Sequence, residues 1–211
     1  EALESKGYRI ISLEENAKLR IQQGKDHYVS RNGNWTREGV IYTPDKRIVL
    51  TKNSPIMQNP KEATQAHRSG NEYFLTDEQV EQASQDSVKL SGESIPTNRF
   101  KENEITSYAF GDVAEQYGAF LREAGIKEMP VYLANTSDKP FARQMWFGYP
   151  GGSGLYGNYS YLYYDLRLRG VCEKTSEAGS QKILYSEKQI SKALKELGIS
   201  GLEKNLISKL R

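Results

Sequence analysis

Residues 141–172 read FARQMWFGYPGGSGLYGNYSYLYYDLRLRGVC. From Tyr149 onward this stretch holds six of the chain's 14 tyrosines and, in 24 residues, no Lys, Glu, Gln, Met or Trp. Those five types make up 53 of the 211 residues. Average composition places about six of them in such a window, and finding none has odds of roughly one in a thousand. Tyrosine offers large amphipathic contact area at low entropy cost, and Gly, Ser and Asn add adaptable hydrogen bonding, which is the chemistry of antibody paratopes. The competing reading is a glycine-rich core turn with structural tyrosines. Period-2 geometry puts Tyr159, Tyr161 and Tyr163 on one face and Tyr164 on the other, so no single core takes all four. A binding surface is the better reading of the two.

Outward from this stretch, the chain predicts a mixed α+β domain. Ser12-Leu13-Glu14-Glu15 is a capping box opening a short helix that Gly24 ends. The β-rich runs 39–43 and 47–51 flank the turn Pro44-Asp45-Lys46 and read as a hairpin. Residues 52–71, rich in Asn, Pro, Ser and Gly, read as loop. Thr76-Asp77-Glu78-Gln79 opens a second helix to about Ser84. A third starts at Asp112, with Val113, Tyr117, Phe120, Leu121 and Ala124 on one face and Gly125 beyond its end. Strands are expected at 130–134, 143–147 and, closing the domain, 166–171. Beyond a linker at 173–185, capping boxes at Ser186 and Ser200 start two short helices, one striped with Ile190, Ala193, Leu194 and Leu197, the other with Leu202, Leu206, Ile207 and Leu210. The expected division is a domain over 1–172 and a helical extension over 173–211. Two short apolar stripes suit oligomerisation or attachment.

Composition excludes several classes. The net charge is +2, from 29 basic and 27 acidic residues, and the two signs are well mixed. Tail residues such as Lys192, Lys195, Lys204 and Lys209 are interrupted by Glu187, Glu196 and Glu203. No basic face for nucleic acid results. No apolar run approaches the roughly 18 residues of a membrane span, and no signal peptide is visible. The single cysteine, Cys172, rules out an internal disulfide and a multi-Cys zinc site, and with neither His nor Lys beside it reads as an inert thiol. His27 and His67 lack ligand spacing, and Asp26, His27 and Ser30 lack a nucleophile elbow. Residues 148–154 are glycine-rich but lack the Lys and Ser/Thr of a phosphate loop. The carboxylates at 14–15 and 102–104 read as solvated faces and helix starts. No cofactor is expected.

Arg143-Gln144-Met145-Trp146-Phe147-Gly148, then 152–158 (GSGLYGN), Leu162 and Arg169-Gly170-Val171 together resemble the variable region of diversity-generating retroelement proteins of the archaeal and archaeal-virus type, a family related to the phage major tropism determinant. The resemblance is specific over about 141–172 and weaker over 89–134. In that family a template repeat is copied with its adenines randomised, so AAC and AAT codons become NNC or NNT. Such codons encode none of the five residue types missing after Tyr149. The resemblance implies a C-type lectin fold, with a variable region at about 146–172. It implies fixed roles for Trp146, Phe147, Leu155, Leu162, Arg169, Gly170 and Val171. The exchangeable, solvent-facing, ligand-binding positions are then Tyr149, Gly151, Gly152, Gly154, Tyr156, Asn158, Tyr159, Ser160, Tyr161, Tyr163, Tyr164, Asp165, Leu166 and Leu168, while Ser153 and Gly157 suit either role. Apolar burial of Trp146 and Phe147 is expected to contribute roughly 2–3 kcal/mol each. The calcium motifs and disulfides of true lectins are missing, so neither metal nor sugar follows from the fold. The resemblance implies a non-enzymatic binder of a varying macromolecule, protein or glycan, on a cell surface, carried on a virion or cell exterior. The alternatives are a virion assembly protein or an enzyme on a formylglycine-generating-like fold, which one cysteine does not favour.

Overall fold

Ser12 and Glu15 do form the reciprocal cap: the Ser12 hydroxyl accepts the Glu15 N–H at 3.1 Å and the Glu15 carboxylate accepts the Ser12 N–H at 2.9 Å. They start helix α1 (Leu13–Gln23), which Gly24 ends at φ 83°. In the computed structural model the described residues are 8–148, 154–158 and, for the backbone, 170–172. All belong to the first of two units of the chain, Glu1–Cys172; the second, Glu173–Arg211, with both expected tail helices, lies outside them.

Strand β1 (Tyr8–Ile10) precedes α1, and the one-turn helix α2 (Tyr28–Arg31) follows it. The hairpin is β2 (Asn34–Tyr42) and β3 (Ile48–Thr51), antiparallel with Val40 opposite Leu50. Lys46 takes the left-handed conformation in its turn, at φ 66°.

Residues 52–71 are not a loop. They form α3 (Pro55–Gln58) and α4 (Pro60–Arg68), each with proline at its start. Proline's fixed φ and missing N–H suit the first helical position, so the residues that suggested loop are helix starters. Next come β4 (Tyr73–Phe74), α5 (Asp77–Ser84) behind its capping box, β5 (Ser87–Lys89) and β6 (Ser94–Pro96). Helix α6 (Glu104–Phe110), not anticipated, is capped by the Asn103 side chain, which accepts the N–H groups of Ile105 and Thr106 at 3.0 and 3.2 Å. A 3-10 turn at Gly111–Val113 leads into α7 (Ala114–Glu123), so the helix expected from Asp112 begins two residues later. The chain continues as β7 (Glu128–Tyr132), β8 (Phe141–Phe147), β9 (Leu155–Tyr156) and β10 (Gly170–Cys172). Of the closing strand expected over 166–171, residues 170 and 171 fall in β10; the rest lies outside the described residues.

One sheet runs β5-β3-β2-β8-β9-β7-β6, with β4 paired to β8 as well; β1 and β10 form a separate antiparallel pair. Alternation along β2 and β3 sends Val40 and Leu50 into the main core, with Phe110, Tyr117, Phe147 and Leu155, and Ile41 and Val49 into a second core, with Ala63, Val80 and Ala142. The sheet is thus clothed on both faces, and β8 lies at its middle.

Candidate ligand-binding face

Strand β8 is fixed by its side chains. β2 carries a bulge opposite it, between Trp35 and Gly39. The Gln144 amide fills the bulge, donating to the Thr36 carbonyl and, at 3.0 Å, to the Glu38 carbonyl. Glu38 is itself buried, and its carboxylate accepts the Leu13 N–H at 3.1 Å. Burial pushes the Glu38 carboxyl up from its ordinary pKa. Phe141 stacks on Tyr42 with centroids 4.6 Å apart and planes at 5°.

Just past the end of β8, a buried cation takes hold of the backbone. Arg20 of α1 is fully buried and lies 4.0 Å over the Phe147 ring. Its guanidinium donates to the Gly148 carbonyl at 2.7 Å, the Tyr117 hydroxyl at 3.0 Å and the Asn32 carbonyl at 3.2 Å. Burial raises the Tyr117 phenol, which therefore stays neutral beside the arginine. The Gly148 N–H donates to the Gly154 carbonyl at 2.9 Å. Residues 149–153 are thereby bracketed by a backbone hydrogen bond whose first residue is tied to the core.

Segment 154–158 is held in the same manner. Leu155 anchors it in the core, opposite Phe147 and Val131. The Gly157 N–H donates to the Tyr132 carbonyl at 2.8 Å. The Gly157 carbonyl accepts from the Tyr42 hydroxyl at 2.9 Å. Burial pushes the Tyr42 phenol up to about 12, so the proton in that bond is retained at neutral pH. Arg143 of β8 donates to the Asn158 carbonyl while ion-paired with Glu72. Farther along, Gly170 pairs with Ile10 of β1. The Arg9–Glu15 ion pair ties β1 to α1 and, through the Arg9 hydrogen bond first of all, lowers the Glu15 carboxyl to about 2.

Of the fourteen exchangeable positions, three are described. Asn158 is exposed and Tyr156 is half-buried, its ring stacked on Tyr132 at 4.6 Å and 21°. Gly154 departs from the expectation of a solvent-facing site. It is buried, and a Cβ there would come within 2.9 Å of the Pro130 carbonyl oxygen. Gly157, open to either role, sits with the framework: a Cβ there would meet the Tyr42 hydroxyl at 2.7 Å. Tyr149, Gly151, Gly152, Tyr159, Ser160, Tyr161, Tyr163, Tyr164, Asp165, Leu166 and Leu168 lie outside the described residues, as do Leu162, Ser153 and Arg169. Phe147 and Leu155 are buried; Trp146 is only half-buried, packed edge-on to Trp35 with centroids 5.2 Å apart. Sequence reasoning missed Arg20, Tyr42, Arg143 and Tyr132. For Arg20 a signal existed: it continues the inward stripe Leu13, Ala17 of α1, where a charge is out of place.

The His27 ring caps α2, its Nδ1 accepting the Val29 N–H at 3.2 Å. Among the described residues no group of three His, Cys, Asp or Glu is placed to hold a metal ion, and no helix is long and apolar enough to cross a membrane.

No family model matches the chain, and no curated protein matches it. A solved structure does. Its description reads "Accommodation of massive sequence variation in Nanoarchaeota by the C-type lectin fold"; it shares 18% identity over 75% of this chain and 86% of its own, with a TM-score of 0.59. At that identity the likeness shows the fold, and this domain has the C-type lectin fold.

Proposed function

We propose that this protein is a non-enzymatic binder whose tyrosine- and glycine-rich segment, about 149–168, is exchanged between copies by a diversity-generating retroelement so that one framework meets changing macromolecular targets on a cell surface. One observation carries the reading. The hydrogen bonds that Arg20, Tyr42, Arg143 and Tyr132 make to this segment and to the residue before it all go to backbone: Arg20 holds the Gly148 carbonyl, Tyr42 the Gly157 carbonyl, Arg143 the Asn158 carbonyl, and the Tyr132 carbonyl takes the Gly157 N–H. Every residue type presents the same carbonyl, so such a grip is indifferent to which side chain stands there. A segment held by its side chains would not tolerate exchange. The described solvent-facing residues, Tyr156 and Asn158, are both encoded by NNC or NNT codons. The setting that suits this chemistry is a virion or cell exterior, and the two apolar stripes of the tail sequence suit attachment or self-association.

The gene supplies the first test. Codons ending in C or T are expected at the exchangeable positions, with a near-identical repeat rich in adenine at those codons close by; other third bases, or no such repeat, overturn the retroelement reading. The protein supplies the second. Changing Tyr159, Tyr161 and Tyr163 to Ala is expected to abolish capture from host-surface extracts while leaving the thermal midpoint unchanged. Undiminished capture removes these residues from the binding face.

A further inference from the structure

The register of the sheet lines up four aromatic residues. Trp35 stands opposite Trp146, Trp146 opposite Tyr156, and Tyr156 beside Tyr132, across β2, β8, β9 and β7. Directly paired residues share a face of the sheet, so the four rings form one cross-strand row. Exposure rises along it, from 3% at Trp35 to 43% at Tyr132. The neighbouring row, Phe147, Leu155 and Val131, points into the core.

We infer that Tyr132, which lies outside the exchanged segment, is a fixed contact of the ligand-binding face and engages the side chains of a protein ligand. The inference rests on the binding function proposed above and extends it to a residue that no adenine randomisation reaches. Three observations converge on it. Tyr132 is one of the few large apolar residues that the described domain leaves exposed. Its ring stacks on Tyr156, an exchangeable position. Its carbonyl receives the Gly157 N–H, so its place relative to the segment is set by backbone. Exchange of Tyr156 for Ser, Asn or Gly uncovers the ring face that Tyr156 now covers. Apolar contact area is then kept at this end of the face whatever residue occupies position 156. A rigid, amphipathic ring backed by a β-strand is the kind of group that dominates protein recognition.

The test uses the full chain displayed as a library, with NNT codons at the exchangeable positions other than Gly154, selected separately against hen lysozyme and streptavidin as unrelated protein probes. Tyr132→Ala and Tyr132→Phe are then introduced into several binders from each selection. Tyr132→Ala is expected to weaken most of them by about tenfold or more, against both probes, and Tyr132→Phe by no more than about threefold. Near-UV circular dichroism and the thermal midpoint are measured on each variant, and comparison is made among those that keep the parent signature. Binders whose affinity ignores Tyr132→Ala overturn this inference and leave the diversified face standing. A library that gives no binder to either probe overturns both. A loss confined to clones that retain tyrosine at 156 also overturns it, because Tyr132 then acts only by supporting its neighbour.

Discussion

Strand β8 and the segment 154–158 lie side by side in one sheet and are held by opposite means. β8 is locked through what its side chains are: Gln144 threads a bulge, Phe141 stacks on Tyr42, and Phe147 sits under a buried arginine. Segment 154–158 has Leu155 in the core and the Tyr156 ring stacked on Tyr132, and its hydrogen bonds to Tyr42, Tyr132 and Arg143 run through carbonyl and amide groups. The difference teaches where variation can go. Side-chain locking specifies one residue per position, and backbone locking specifies a path and leaves the residue open.

The comparison breaks most readily at Arg20. Two of its three acceptors, the Gly148 carbonyl and the Tyr117 hydroxyl, are buried, and replacing it by Ala takes this donor from them and opens a cavity beside Phe147. Arg20→Ala is expected to lower the unfolding free energy by roughly 3–5 kcal/mol, read by urea denaturation. A change under about 1 kcal/mol would show that the start of the segment is not held from the core. Next comes Arg143, which joins Glu72 to the Asn158 carbonyl from a largely buried position. Arg143→Met is expected to cost about 2 kcal/mol, and a double-mutant cycle with Glu72→Gln to show coupling of about 1 kcal/mol.

Two glycines sharpen the comparison within the segment itself. Gly157→Ala drives a methyl to 2.7 Å from the Tyr42 hydroxyl, which is pinned between the Gly157 carbonyl and the Ala134 N–H. Gly154→Ala meets the Pro130 carbonyl at 2.9 Å. Each is expected to cost about 1–2 kcal/mol, because the atom in the way is a hydroxyl held by two hydrogen bonds in the first case and the backbone of a paired strand in the second. Full stability in Gly154→Ala would return that position to the exchangeable set.

The far end of the segment responds to acid. The Glu15 carboxyl titrates near 2 in the fold, held down chiefly by the Arg9 hydrogen bond, against an ordinary value of 4.5. A lowered carboxyl pKa stabilises the fold above the ordinary value, and that contribution fades as pH falls from 4.5 toward 2. Both side chains are partly exposed, so solvent screens the pair. The protection factor of the amides at Gly170–Cys172, which pair with β1, taken against the intrinsic exchange rate at each pH, is expected to fall over that window in the parent. In Glu15→Gln it should already be lower at neutral pH and change less. Identical profiles would detach β1 from the Glu15 contact.

How much of this could be read in the sequence follows the same division. The caps at Ser12 and Thr76, the hairpin, the inward stripe of α7 and strands β7 and β8 were legible, because local pattern decides them. Helices α3 and α4 are hidden in the sequence because Asn, Pro and Ser count toward turns until proline is placed at the first helical position. The exchangeable segment announced itself by the residues it lacks, a compositional trace that needs no structure. Its supports did not. Arg20, Tyr42 and Arg143 lie 128, 115 and 15 positions from the carbonyls they hold. No local pattern records so distant a contact, and glycine at 154 or 157 looks alike whether it is free to vary or wedged against a neighbouring strand.

The smallest effect is the most telling. Tyr156 and Asn158 alternate with Leu155 and Gly157 along four residues of chain, and the two sets differ in what surrounds them: one is half-buried or exposed, the other buried. Tyr156→Ser and Asn158→Asp leave every backbone bond of the segment in place and give up only the half-buried stack of Tyr156 on Tyr132. Together they are expected to change the unfolding free energy by about 1 kcal/mol at most, the worth of that one stack, measured by the same urea titration that shows the loss in Gly157→Ala. If the pair costs as much as the single glycine change, the segment depends on its side chains after all, and the framework is not the indifferent holder that exchange of those residues requires.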